Sequence, residues 1–171
     1  MEKQSVLRSG RVTLRAMEPQ DEAAAVAILR SGKVAETFML PDFADDAQAA
    51  ALFGRLMRLS QDAEKFVYGA YADGALVGFI NEVDRDGDAV EVGYAVHPDC
   101  WNRGYATEML RAAVGELFRM GVGEVRAGSF EGNDASRRVM EKCGLLPVGR
   151  EETIEYRGRR HRCLYCAIRK E

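Results

Sequence analysis

The sequence predicts an α/β domain of the α+β kind: a mixed, mostly antiparallel sheet of seven strands with about four helices. Three observations carry this reading. Short runs alternate apolar and polar residues with a period of two, as half-buried strands do. Longer runs place apolar residues three and four apart, as amphipathic helices do. Finally, most neighbouring strand runs are joined by two-residue turns and must be antiparallel, whereas a strand returning after a helix runs parallel. No linker, repeat or low-complexity stretch interrupts the chain, so all of 1–171 is expected to form one domain.

The first strand, GRVTLRAM (10–17), alternates Val12 and Leu14 against Thr13 and Arg15. Pro19 suits the first turn of a helix, and Glu18, Asp21 and Glu22 suit its positive end, so a helix follows to about Ser31 and Gly32. Residues 33–43 are less regular and Pro41 breaks them; Asp45 and Asp46 then start a second helix carrying Leu52, Phe53, Leu56, Met57 and Leu59. KFVYGAYA (65–72) and ALVGFINEV (75–83) are strands joined by Asp73-Gly74, the strongest short hairpin signal. A turn at 84–88 leads to the fourth strand, Val90, Val92, Tyr94 and Val96 alternating with Glu91, Gly93 and Ala95. Pro98 stops it. Gly104 opens a helix with Met109, Leu110, Ala113, Val114, Leu117 and Phe118 on its apolar side, ending near Met120 and Gly121. A fifth strand (124–130) follows, then a short helix N-capped by Asn133 and closed by Gly144. A hairpin, 145–156 and 159–170 turning at Arg157-Gly158, completes the chain.

The bulk numbers exclude several classes. A net charge of −3 supplies no global basic field for nucleic acid or an anionic membrane. No apolar run approaches a membrane span and no signal-peptide core is present, so the expected location is the cytoplasm. Four cysteines offer one C-x-x-C pair, Cys163 and Cys166, in a strand where a separation of three puts them on opposite faces. With only His97 and His161 besides, no metal site is expected.

The stretch from Val90 to Met120 carries the functional signal. A strand, an Arg103-Gly104 loop and a helix make a device for binding a phosphate: first-turn N–H groups lack partners, the dipole is positive there, and glycine lets an anion approach the backbone. The same glycine is also explained as a simple helix-starting turn. The stretch matches neither the P-loop nor the dinucleotide fingerprint, which argues against a nucleotide triphosphatase or a nicotinamide enzyme.

Three motifs together resemble the GNAT superfamily of N-acetyltransferases, and within it the ribosomal-protein N-terminal acetyltransferases (RimJ/RimL-like). They are Leu14-Arg15-Ala16 followed by Pro19 and Asp21; Glu91-Val92-Gly93-Tyr94 followed by Trp101-Asn102-Arg103-Gly104-Tyr105-Ala106-Thr107-Glu108; and Asn133 to Gly144, which fits N-x-x-S-x-R-V-x-E-K-x-G. The resemblance covers nearly the whole chain. It implies a sheet splayed between the fourth and fifth strands with acetyl-CoA wedged in the gap. Its pyrophosphate would meet Asn102, Arg103, Gly104, Tyr105, Ala106 and Thr107, and its pantetheine arm the backbone of Val96 and His97. Asn133 and Ser136 would lie near the thioester, and Arg138 near the phosphates; Arg137 is read equally well as a solvated residue. Two positions depart from the pattern: Trp101 stands where the broad superfamily prefers Gln or Arg, and Met140 where many relatives carry a general-acid tyrosine. An acidic residue common near Arg162 in the branch is missing as well.

Acetyl transfer to nitrogen needs a neutral amine. A lysine with a pKa near 10.4 is neutral in about one part in a few thousand at pH 7, an α-amine near 7.8 in about a tenth. A protein N-terminal α-amine therefore needs only a weak base, such as water relayed to a carboxylate. Glu82 and Glu91 are the carboxylates nearest the expected cleft, and Ser136 is the candidate proton donor to the leaving thiol. Glu82 is equally the solvated end of a strand, and His97 is read as a loop residue using its backbone. The resemblance also implies that Phe38 to Phe43 forms the acceptor wall. Two alternatives stay open: a non-catalytic, CoA-binding regulatory domain, and acetylation of a small amine such as a polyamine or amino-sugar antibiotic. A homodimer through the last strands is a further expectation.

Overall fold

Eight strands, one more than the pattern indicates, form a single sheet in the computed structural model of the protein, which describes all 171 residues. The elements are β1 (Val6–Ser9), β2 (Val12–Arg15), α1 (Glu22–Leu29), α2 (Gly32–Ala35), α3 (Asp46–Gln61), β3 (Val67–Ala72), β4 (Ala75–Asp86), β5 (Ala89–Val96), α4 (Tyr105–Arg119), β6 (Glu124–Phe130), α5 (Asp134–Lys142), β7 (Leu146–Tyr156) and β8 (Arg159–Arg169). The strands lie in the order β1-β2-β3-β4-β5-β6-β8-β7, and all neighbours are antiparallel except β5 and β6. The added strand is β1, which pairs Ser9 with Val12 across a turn at Gly10-Arg11. The added helix is α2, one turn held by the Ser31 hydroxyl accepting from Val34 N–H.

Local chemistry places the joints. Asp73 and Gly74 both have positive φ, 51° and 78°, as the tight hairpin requires. Asp45 caps α3 by accepting from Gln48 N–H, and Asn133 caps α5 by accepting from Ser136 N–H. Helices cover the sheet from both sides. On one, α4 and α5 press Met109, Leu110, Leu117 and Met140 onto Leu14, Tyr68, Ile80, Val90 and Val125. On the other, α1 to α3 press Ile28, Leu29 and Phe53 onto Tyr71 and Phe79. Each fully buried Leu or Met contributes about 1.5–3 kcal/mol relative to exposure.

Two bulges in β4 change the strand parity. Val77 is the extra residue opposite Ala70 and Tyr71, and Val83 the extra residue opposite Glu91 and Val92. The first sends Leu76 to the α1–α3 core while Ile80 faces α4, so Glu82 does not share a face with Leu76 as simple alternation implies.

The sheet is open in its middle. β5 and β6 pair only where Ala89–Glu91 meet Glu124–Arg126, and Val92–Val96 then diverge from Ala127–Phe130. This is the expected splay. It sets the site.

Candidate active site

A cleft of about 420 Å³ opens between β5, the loop before α4, α4 itself and α5. Of the eleven residues expected to hold a cofactor, nine line it: Val96, Asn102, Gly104, Tyr105, Ala106, Thr107, Asn133, Ser136 and Arg138. The loop's physics is visible. Gly104 has φ +83°, a left-handed conformation that glycine adopts without penalty, and Asn102 precedes it at φ +61°. The first backbone bond of α4 runs from Glu108 N–H to Gly104, so the N–H groups of Tyr105, Ala106 and Thr107 are free for an anion. Arg138 and Lys142 line the same cleft and no carboxylate does, which suits a polyphosphate. Arg103 is exposed rather than lining; its carbonyl accepts from the Arg11 guanidinium, which also pairs with Glu108 and so braces the loop from the β1–β2 turn. Arg137 pairs with Asp134 at 3.2 Å at the surface.

At the end of β5, His97 turns its backbone N–H toward β4 rather than toward the gap, contrary to what the resemblance implies. Its N–H donates to the Val77 carbonyl at 2.8 Å, and its ring Nδ1 accepts from Asp99 N–H, so it offers the gap no backbone donor. Because His97 N–H points to β4, antiparallel alternation turns the N–H groups of Tyr94 and Val96 away from β4 and into the gap. Trp101 explains its own departure from the superfamily pattern: its indole N–H donates to the Val96 carbonyl at 2.7 Å and ties the loop to the strand end.

Between β5 and α5, the Tyr94 hydroxyl lies 3.0 Å from Ser136 Oγ. Both residues line the cleft. Burial pushes the Tyr94 phenol up to about 12, the Ser136 contact opposing it. Met140, at the position of the usual tyrosine, is fully buried in the α4–α5 core and reaches no reacting group. Tyr94 was hidden in the sequence because an aromatic residue on an alternating strand ordinarily belongs to the core. A buried tyrosine hydroxyl nevertheless needs a partner, and that was the available signal.

The two carboxylates separate. Glu82 grips Arg85 through both oxygens, at 2.9 and 2.8 Å, and lies in a different depression beside Phe66, Met120 and Val122. It is not brought to the cleft. Glu91 lies on the opposite face of the sheet, at the fork where β5 leaves β6, paired in register with Arg126. Burial pushes its carboxyl above the usual range, with Arg150 opposing and Asp84 and Glu152 reinforcing. Around it stands a polar group that sequence reasoning did not assemble: Tyr165 donates to Glu152 at 2.9 Å, Arg150 pairs with Glu152 at 2.9 Å, and Arg150 lies over the Tyr165 ring.

This second face is floored by glycine. A Cβ at Gly128 would come within 2.8 Å of the Tyr165 ring, and one at Gly93 within 3.3 Å of Phe38. Phe38 also lines the cleft, so the opening passes through the sheet to the face of β5 that carries Gly93 and Glu91, although Glu91 itself is not part of the lining. The Tyr156 hydroxyl at the tip of β7 donates to the Ala35 carbonyl at 2.7 Å and accepts from Leu40 N–H at 3.1 Å, fixing the wall that carries Phe38. No cluster of three metal-ligating side chains occurs, and Cys163 and Cys166 are unbonded.

The family model of the acetyltransferase (GNAT) domain matches residues 11–146. An uncharacterized N-acetyltransferase, YoaA of Bacillus subtilis, is 26% identical over 149 residues, covering 84% of each chain. A GNAT-family acetyltransferase from Bacillus anthracis superposes with a TM-score of 0.82 at 21% identity, over 96% of this chain and 98% of that one. RimL, a ribosomal-protein alpha-N-acetyltransferase solved with coenzyme A, has the same TM-score at 16% identity, over 96% and 97%. No helix is long and apolar enough to cross a membrane. With the family model spanning most of the chain and the splayed sheet meeting a free-donor loop, this chain belongs to the GNAT acetyltransferase family and is an N-acetyltransferase that uses acetyl-CoA.

Proposed function

We propose that the protein moves an acetyl group from acetyl-CoA directly to a primary amine in a ternary complex, and that the favoured acceptor is a protein N-terminal α-amine. One observation carries this: the cleft joins two different environments through the gap in the sheet. On the loop side are unused N–H groups, Arg138 and Lys142; on the other is Phe38, against the glycine-floored face of β5 on which the half-buried Glu91 lies, outside the lining itself. Acetyl-CoA supplies an activated acyl thioester. Tyr105, Ala106 and Thr107 N–H groups bind its phosphates, and Tyr94 or Val96 N–H meets the carbonyl oxygen as negative charge develops on it. Asn133 holds the first turn of α5 so that Ser136 faces the thioester. Glu91, rather than Glu82, takes the amine's proton through water: it lies where an acceptor enters, and a raised carboxyl makes it a better base than an ordinary glutamate.

An α-amine fits this weak base, since it is already partly neutral near pH 7. The overall likeness to RimL supports placing the chain in the RimJ/RimL branch. In this reading all 171 residues form one catalytic domain working in the cytoplasm. Two copies meet along the edge strand β7, where Leu146 and Val148 are exposed. The test is thiol release from acetyl-CoA with peptides bearing free or blocked N-termini, polyamines and amino-sugars. Free-N-terminus peptides should turn over fastest; turnover confined to polyamines or amino-sugars would remove the proposed acceptor.

A further inference from the structure

A serine is a weak proton donor on its own. If Ser136 simply protonated the leaving sulfur it would be left as an alkoxide, a far stronger base than the thiolate it had relieved, whose conjugate thiol has a pKa near 8.5. The position four residues on, Met140, supplies no hydroxyl and is sealed in the core. The structure offers one other proton-bearing group within reach, the Tyr94 hydroxyl at 3.0 Å from Ser136 Oγ.

Both groups are held by elements on opposite sides of the cleft. Tyr94 comes from the diverging half of β5, in the same stretch whose N–H groups enter the gap. Ser136 sits in the first turn of α5, its own N–H donated to the Asn133 cap at 3.2 Å. The positive end of the helix favours loss of the serine proton. With the tyrosine donating to Oγ, the serine's own hydrogen is free to point into the cleft.

We propose that Tyr94 is a positioning residue of the acetyl transfer, which orients the Ser136 hydroxyl toward the leaving sulfur and replaces its proton as it is given up. This rests on the acetyl-transfer reading above and assigns no new substrate. In the step, the amine nitrogen bonds to the acetyl carbon, the C–S bond breaks and its electron pair stays on sulfur. Sulfur takes the proton of Ser136 Oγ, Oγ takes that of the Tyr94 hydroxyl, and the phenolate is reprotonated through water while Glu91 returns to solvent the one proton that it took from the amine, so that the protons balance. The products are the acetylated amine and coenzyme A thiol. Because burial holds the Tyr94 proton tightly, the chain serves only while the C–S bond is breaking, and its removal slows the reaction without abolishing it.

Tyr94→Phe keeps the ring and removes the hydroxyl. We expect kcat to fall about 10- to 100-fold with KM for acetyl-CoA within about twofold. Ser136→Ala falls by a similar factor, Ser136→Thr recovers most of the loss, and the double variant is no slower than the slower single variant, as for groups acting as one unit. An acetyl thioester of a more acidic thiol, which leaves without a proton, shrinks the Tyr94→Phe defect; a merely structural lesion slows both thioesters alike. Multiplying defects in the double variant, equal defects with both thioesters, or a Tyr94→Phe enzyme as fast as wild type overturn the inference while wild-type turnover stands. If the wild type releases no thiol with any amine, the transfer reading itself fails first. Should Tyr94→Phe not fold, the leaving-thiol comparison between Ser136→Ala and Ser136→Thr decides: recovery by threonine confined to the less acidic thiol upholds the hydroxyl chain, and its absence overturns it.

Discussion

Replacing Gly104 separates backbone strain from charge in the anion loop. At φ +83° any other residue is strained by about 1–2 kcal/mol. Space is not the obstacle, since the nearest atom to an added Cβ is the end of the exposed Arg11 side chain at 3.3 Å. Gly104→Ala and Gly104→Gln therefore report mainly the strain. Gly104→Glu adds a carboxylate among the N–H groups that would hold the pyrophosphate. At about 5 Å from one phosphate charge, the repulsion is roughly 0.8 kcal/mol with a dielectric of 80 and 3.3 kcal/mol with 20. The acetyl-CoA Kd should thus rise about 4- to 250-fold beyond the glutamine variant. Calorimetric titration of all three variants measures this, with denaturant unfolding run alongside to show that each is folded. Raising the salt concentration should narrow the gap between Glu and Gln. Equal Kd values for Glu and Gln would refute the electrostatic reading, and an unchanged Kd in every variant would remove the loop as the cofactor's anchor.

Three other outcomes follow from particular contacts. Glu91→Gln should remove the acidic limb of the kcat/KM profile, a limb lying above the ordinary carboxylate range because burial raises this carboxyl. The same burial makes the native state bind the extra proton, so Glu91→Gln should be more stable than wild type at neutral pH, the gain vanishing below about pH 4. Lys3 donates to the Ser60 and Val67 carbonyls, and burial lowers its ammonium to about 8. The unfolded chain binds the extra proton between that value and the ordinary lysine range, so wild-type stability should gain a rising contribution with pH there, which Lys3→Met loses; parallel stability–pH curves would contradict this. Trp101→Phe deletes the 2.7 Å bond to Val96 and should cost about 1 kcal/mol, seen as a several-fold higher KM for acetyl-CoA with kcat nearly intact.

Much of the site was legible because its signals are local. Gly104 before an apolar helical stripe, Asn133 three residues ahead of Ser136, and Asp73-Gly74 between alternating runs each act within a few residues, and all three fold as their chemistry demands. What escaped depends on register. Parity along β4 fails at Val77 and Val83, because a bulge inserts a residue without any composition cue, and so Glu82 could not be placed by counting. Its grip on Arg85 then removes it from the cleft. The Glu152–Arg150–Tyr165 group forms only because β7 shifts register against β8 between Pro147 and Glu151. The backbone bond that occupies His97 likewise comes from Val77, twenty residues away in the chain.

The contact between Tyr156 and the Ala35–Leu40 segment has a mechanical consequence. It joins the last hairpin to the helical layer over the first strands, spanning the opening from outside. Arg157 adds a second tie to Asp42 at 3.2 Å. The two halves of the sheet are therefore hinged at Ala89–Glu91 and propped at the far end, like a frame braced at both corners. Strands with free inner edges would otherwise tend to zip together and satisfy one another's backbone groups. Held apart, they keep a slot in register for a ligand, and the ordering cost falls on folding rather than on each round of binding.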